Sequence, residues 1–358
     1  MSRTFQFLVL CGVAVFHSLL LLGGFGSQNR TPSTEEIAGE AAGYIVPSSS
    51  NGIRWGLVAV RAPDAWRVSP GSPDVVVAVI DAGIDYTVPE LRERMWVNPG
   101  EIPGNGRDDD GNGYVDDIHG WDFRDNDPDS LTGTPINWHG TFVAGLVAAA
   151  LDRHTGLGGV APGIKIMDIR FLDSKGLFYT SDWEKLVQAI DYAVANGARI
   201  INLSLYMAVK PPPAVREAIR RAVDHGVLVV AAAGNSGGQV RYLASWPEVL
   251  AVGAVDREGR PAPFSNRGSG VFLAAPGVEV HSFGPKGTPL TGSGTSFAAP
   301  HVSGAAALLL SLRPDLSPEE IRELLARGAK DLGSPGWDGA TGFGLVDAAA
   351  STGLLVGS

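Results

Sequence analysis

Three short runs of this chain are apolar throughout or nearly so: residues 75–80 (VVVAVI), 227–231 (VLVVA) and 249–255 (VLAVGAV). Ile200 and Ile201, with Leu203 and Leu205, make a fourth. A strand that is apolar on both faces needs cover on both sides, as in a parallel sheet lying between helices. The intervening segments carry a helical period instead. In residues 181–196 the apolar positions are Trp183, Leu186, Val187, Ile190, Ala193 and Val194, and Gly197 follows as a stop signal. Residues 215–225 behave similarly and end at Gly226. Ser317-Pro318-Glu319-Glu320 reads as a capping box with proline at the first helical position. This alternation predicts one α/β domain over residues 53–352, a mostly parallel sheet with helices on both faces.

Two stretches depart from the alternation. Residues 1–26 carry Arg3, an apolar run from Phe5 to Leu22 and Gly24-Phe25-Gly26 before Ser27, the pattern of a signal peptide. An uncleaved anchor is the alternative; Gln6 and His17 weaken it. Export would place the protein outside the cytoplasm, or at the cell surface if anchored, and only the anchored form would meet a membrane. Residues 27–52 are polar and small and read as a short linker. The only cysteine, Cys11, falls inside the apolar run, so a processed chain would have neither thiol nor disulfide.

Composition sharpens this picture in two respects. Hydrophobic residues make up 44% and charged residues 18%, enough to bury a sizeable core. The net charge of −10 argues against nucleic acid as a partner. Much of the acidity is local: Glu101, Asp108, Asp109, Asp110, Asp116, Asp117, Asp122, Asp125, Asp127 and Asp129 face only Arg107 and Arg124. Such a cluster repels itself unless solvated or bound to cations.

In open α/β sheets, functional side chains collect beyond the carboxyl ends of strands. Asp81 sits there after residues 75–80, and Asn235 after residues 227–231. His139 and Ser296 each stand at the start of a helix rich in small residues. Singly, these are ordinary residues: an Asp at a strand end is a common turn or cap, a Ser before a helix a common N-cap, and Gly-Asn-Ser-Gly a simple turn. Their joint order and contexts are not ordinary. Val79-Ile80-Asp81-Ala82-Gly83-Ile84-Asp85, His139-Gly140-Thr141-Phe142-Val143-Ala144-Gly145 and Gly294-Thr295-Ser296-Phe297-Ala298-Ala299-Pro300-His301 resemble the three active-site blocks of subtilisin-like serine proteases. The chain order Asp, His, Ser is the one known for subtilisin. Further similar blocks, such as Gly159-Val-Ala-Pro162 and Gly342-Phe-Gly-Leu-Val346, extend the resemblance from about Trp55 to Ala350.

The resemblance implies a three-layer subtilisin-like fold and a charge-relay triad of Asp81, His139 and Ser296. Ser296 would be the nucleophile, His139 its base, and Asp81 the group that orients His139. Asn235 and the Ser296 backbone N–H would bind the oxyanion. It also implies a substrate peptide added as a strand between two segments, with Gly176 and Phe178 on one, Ser204, Leu205 and Tyr206 on the other, and Gly234 nearby. Four departures stand out. Ala82 replaces a usual hydroxyl residue beside Asp81. Phe178 and Tyr206 stand where the family usually has glycine, either as aromatics on tolerant surface loops or as walls that narrow the groove. Residues 27–52 are too short for the usual folding-assistant propeptide.

In the acidic stretch, Asp108, Asp110, Asn112, the Tyr114 carbonyl and Asp116 recur at alternate positions with Gly113 at the turn, as in the first half of an EF-hand loop. The twelfth position is His119 rather than Glu, so the match is partial. Asp122, Asp125, Asp127 and Asp129 form a second cluster, which resembles a calcium site upstream of the catalytic histidine in some thermostable relatives. Structural Ca²⁺ is the expected cofactor; a solvated acidic loop is the alternative. The expected activity is that of a secreted serine endopeptidase acting on proteins or peptides. The alternatives are a highly selective protease with a restricted groove, a transpeptidase, and a non-catalytic peptide-binding module.

Overall fold

The structure, a computed structural model, describes residues 36–41, 44–47, 55–207 and 209–356, which lie in one compact unit. Its strands are Ile37–Ala41 (β1), Tyr44–Pro47 (β2), Val76–Asp81 (β3), Gly120–Asp122 (β4), Lys165–Arg170 (β5), Leu177–Tyr179 (β6), Ile200–Leu203 (β7), Leu205–Met207 (β8), Leu228–Ala232 (β9), Val249–Val255 (β10), Val271–Pro276 (β11), Val280–Phe283 (β12) and Pro289–Ser293 (β13). Seven of these form the central sheet in the order β11-β10-β9-β7-β3-β5-β4. Every pair in it is parallel, as the apolar runs predict.

Those runs feed two cores. Along β3, Val77 and Val79 enter one core, while Val76, Ala78 and Ile80 enter the other, because successive side chains leave opposite faces of a strand. The first core takes helices Trp138–Ala148, Thr295–Leu312 and Pro318–Gly328; the second takes Trp183–Ala195 and Pro213–Asp224. Helix Thr295–Leu312 is long and apolar enough to cross a membrane, but it is the buried centre of the first core. The capping box forms at the last of these helices: the Ser317 side chain accepts from Glu320 N, and Glu320 reaches back to Ser317 N at 2.8 Å.

The expected signal peptide lies outside the described residues. The expected linker is structured where it is described. β1 is the middle strand of a small sheet, antiparallel to β6 on one side and β8 on the other. β2 pairs antiparallel with β13. The sequence Ile-Ala-Gly-Glu-Ala of β1 has little strand pattern of its own. It is extended because β6 and β8 each offer an edge of backbone N–H and C=O groups that need partners.

Candidate active site

Asp81 ends β3, and its carboxylate is buried. His139 is the second residue of helix Trp138–Ala148, whose N-cap Asn137 accepts from His139 N at 3.1 Å. The glycine after His139 explains how the two approach. A Cβ on Gly140 would lie 2.3 Å from the Gly83 carbonyl oxygen, so only glycine lets this helix rest on the turn after Asp81. His139 Nδ1 then donates to Asp81 Oδ1 at 2.8 Å and lies 3.0 Å from Oδ2. Ala82 N also donates to Asp81 Oδ1, at 2.7 Å; this backbone bond supports the carboxylate where the family usually has a hydroxyl. With Nδ1 so engaged, the proton-accepting position of the ring is Nε2. Nε2 is buried and has no hydrogen-bond partner among the described residues.

Ser296 lies in the first turn of helix Thr295–Leu312. The His139 ring stands 5.5 Å from the ring of Phe297, the next residue. Ser296 Oγ donates to the Ser204 carbonyl at 2.7 Å, and Ser204 Oγ donates to the Ser296 carbonyl at 2.8 Å. This exchange ties the serine to the residue between β7 and β8. Asn235 comes close from the loop after β9: its Oδ1 accepts from Thr295 N at 2.9 Å and from Thr295 Oγ1 at 2.8 Å. Both bonds go to the carbonyl end of the amide, which leaves its NH₂ end for another acceptor. Thr295 had no assigned role in the sequence, although its place beside the serine could have suggested one.

The profile of the Subtilase family matches residues 72–344 of this chain. The chain belongs to the subtilase family. It is similar to the alkaline protease of Alkalihalobacillus alcalophilus, 36% identical over 86% of this chain and 72% of that protein. Subtilisin Savinase of Lederbergia lenta is 36% identical over 84% of this chain and 98% of its own length. Thermitase of Thermoactinomyces vulgaris is 34% identical over 79% and 90%. This subtilase is a serine-type endopeptidase.

The residues expected to bind substrate gather around β1. Ala41 N donates to the Gly176 carbonyl at 2.7 Å, and Thr180 N donates to the Glu36 carbonyl at 2.9 Å. Glu40 lies opposite both Leu177 and Tyr206, and Ala41 opposite Leu205. Tyr44 lies opposite Ser293, which precedes Ser296 by three residues in the chain. The subtilase therefore holds a segment of its own chain between β6 and β8. Phe178 is no surface aromatic: it is fully buried, its ring 5.0 Å from Phe171 and 5.5 Å from Trp183. Tyr206 is half-buried. Gly234, at φ +101°, packs beside it: a Cβ there would lie 3.1 Å from Tyr206 Cδ2 and 2.4 Å from Asn266 Nδ2.

The acidic residues divide into two sets. In the first, carboxylate oxygens of Glu101, Asp110 and Asp117 lie within 4.8 Å of one another. Asp110 was among the expected ligands; Glu101 and Asp117 were seen only as part of the charge. Asp117 is buried, and burial pushes its carboxyl above the usual range although Tyr192, Asn112 and Asn98 donate to it. The other expected ligands here are engaged within the loop. Asp108 accepts from the N–H groups of Gly111, Asn112 and Gly113. Asp116 accepts from Asn105 and Gly106, and Asn112 Oδ1 from Tyr114 N.

In the second set the compensating charge is internal. Arg170, fully buried at the end of β5, donates to Asp122 Oδ2 at 2.8 Å and to Asp125 Oδ2 at 3.4 Å. Asp125 also accepts from Thr134, Asp127 from Asp129 N, and Asp129 from Tyr86 and Leu131 N. Asp168, on the same strand as Arg170, is buried, and burial raises its carboxyl to about 7. It accepts from Ser130 Oγ at 2.5 Å and Ile84 N at 3.2 Å.

Proposed function

We propose that this subtilase cleaves peptide bonds through an acyl-enzyme on Ser296, with Asp81 and His139 completing the triad. The observation that carries the reading is the buried Asp81–His139 pair, with its unbonded Nε2 beside the start of the Ser296 helix. His139 Nε2 takes the Ser296 hydroxyl proton as Oγ bonds to the substrate carbonyl carbon. The oxyanion is held by the Asn235 NH₂ and the Ser296 backbone N–H. The carbon–nitrogen bond then breaks, and His139 returns the proton to the leaving amine. Water repeats the sequence to release the acid. Asp81 keeps Nδ1 protonated and stabilises the imidazolium without accepting its proton.

A serine-directed fluorophosphonate is expected to label Ser296, and Ser296→Ala to abolish labelling. A folded wild-type protein that stays unlabelled would overturn the reading. A more selective form of the same activity is favoured by one observation: the groove accommodates a strand, yet its wall contains the buried ring of Phe178.

Structural calcium belongs to the same proposal. The donors Glu101, Asp110 and Asp117 are hard oxygens, two of the three are buried, and they have no cationic side chain hydrogen-bonded to them among the described residues. That donor set suits Ca²⁺. Export, by the apolar segment of residues 1–26, completes the reading.

A further inference from the structure

Gly39 is closely walled in between β6 and β8. A Cβ built on it would lie 2.0 Å from the Tyr206 carbonyl oxygen, 2.4 Å from Phe178 Cε1 and 2.6 Å from Phe178 Cζ. Of its neighbours, Ala38 is also buried, whereas Ile37 and Glu40 are exposed and Ala41 is half-buried. The two obstacles act together. A bound strand could relieve contact with the Tyr206 carbonyl by moving towards β6, but the Phe178 ring stands in that path. The ring cannot retreat, because it is wedged against Phe171 and Trp183 in the second core.

We propose that this enzyme selects substrates with glycine at the fourth residue before the cleaved bond, and that Phe178 and the Tyr206 carbonyl impose the choice. The inference rests on the reading that substrate lies between β6 and β8 as β1 does. The position follows from the register. Ala41 is opposite Leu205, so in a bound peptide the next residue lies opposite Ser204. The Ser204 carbonyl is where Ser296 Oγ makes its hydrogen bond, so that residue presents its carbonyl to the serine. Counting back from it and including it, the Gly39 position is the fourth. An enzyme with this wall recognises a missing side chain, and reads it through exclusion.

Two measurements test this. The first is cleavage of a peptide library by the wild-type enzyme, read by mass spectrometry. Glycine should dominate the fourth position, and glycine to alanine there should lower kcat/KM by ~100-fold, the upper range for one methyl group against a rigid wall. Phe178→Gly should admit alanine at that position. The second needs no turnover and no wall mutant. In full-length Ser296→Ala protein, the Ala41 amide, bonded to Gly176, should be protected from hydrogen exchange. Gly39→Ala should abolish that protection and Glu40→Ala should keep it. Cleavage without preference for glycine, or retained protection in Gly39→Ala, overturns the selectivity and leaves the endopeptidase reading intact. Loss of fluorophosphonate labelling in the wild type overturns the endopeptidase reading instead.

Discussion

The loop of residues 101–117 and the loop of residues 122–129 have similar acidic composition, yet the fold treats them in opposite ways. The first brings Glu101, Asp110 and Asp117 together with only neutral donors hydrogen-bonded to them among the described residues. The second is anchored on a guanidinium that the sheet itself supplies, Arg170 at the end of β5. A count of carboxylates does not distinguish the two. What separates them is whether a buried cation reaches the cluster from elsewhere in the chain, and a difference of 48 positions between Asp122 and Arg170 hides that from any local pattern.

The comparison can be broken most forcefully at Arg170. Replacing it by Met leaves Asp122 buried without its partner, a change that costs about 3–5 kcal/mol in comparable sites. Urea unfolding of Arg170→Met should show that loss with or without calcium; an unchanged midpoint would mean that Asp122 is compensated in another way.

Next in size is the pH response of Asp168. Its folded carboxyl titrates near 7, against 3.8 for an ordinary aspartate. The native state therefore holds its proton more tightly than the unfolded chain. The stabilisation from this group is complete below about pH 4 and is lost as pH rises through 7. The shift corresponds to an upper value on the order of 4 kcal/mol. Asp168→Asn should flatten the stability profile between pH 4 and 7; an identical slope in both proteins would refute the assignment.

The smallest effect concerns the first loop. Saturating calcium at about 100 times its dissociation constant adds ~2.7 kcal/mol, so EGTA should lower the Tm by several degrees. Asp117→Asn should remove that response while Asp127→Asn preserves it. A wild-type Tm indifferent to EGTA would count against calcium at both loops.

Much of the architecture was legible because it is periodic. The fully apolar runs and the 3.6-residue repeats gave the parallel sheet and its flanking helices, with boundaries shifted by one or two residues. The Asp81–His139 pair and the start of the Ser296 helix were legible because three short blocks carry them, and glycines such as Gly140 are constrained by backbone contacts. Phe178 was ambiguous. One aromatic residue in a polar loop does not reveal whether Phe171 and Trp183 will pack around it. β1 was illegible for a different reason. Its five residues have no strand signature, and their conformation comes from the partners on either side.

β6 and β8 form a gap flanked by two rows of backbone groups able to pair with any extended chain, which is also the geometry by which proteins stick to one another. With β1 between them, both rows are satisfied from within one molecule. The segment thus closes a surface that would otherwise be adhesive. A gap able to pair with loose strands invites neighbouring molecules, and here five residues of the same chain fill it.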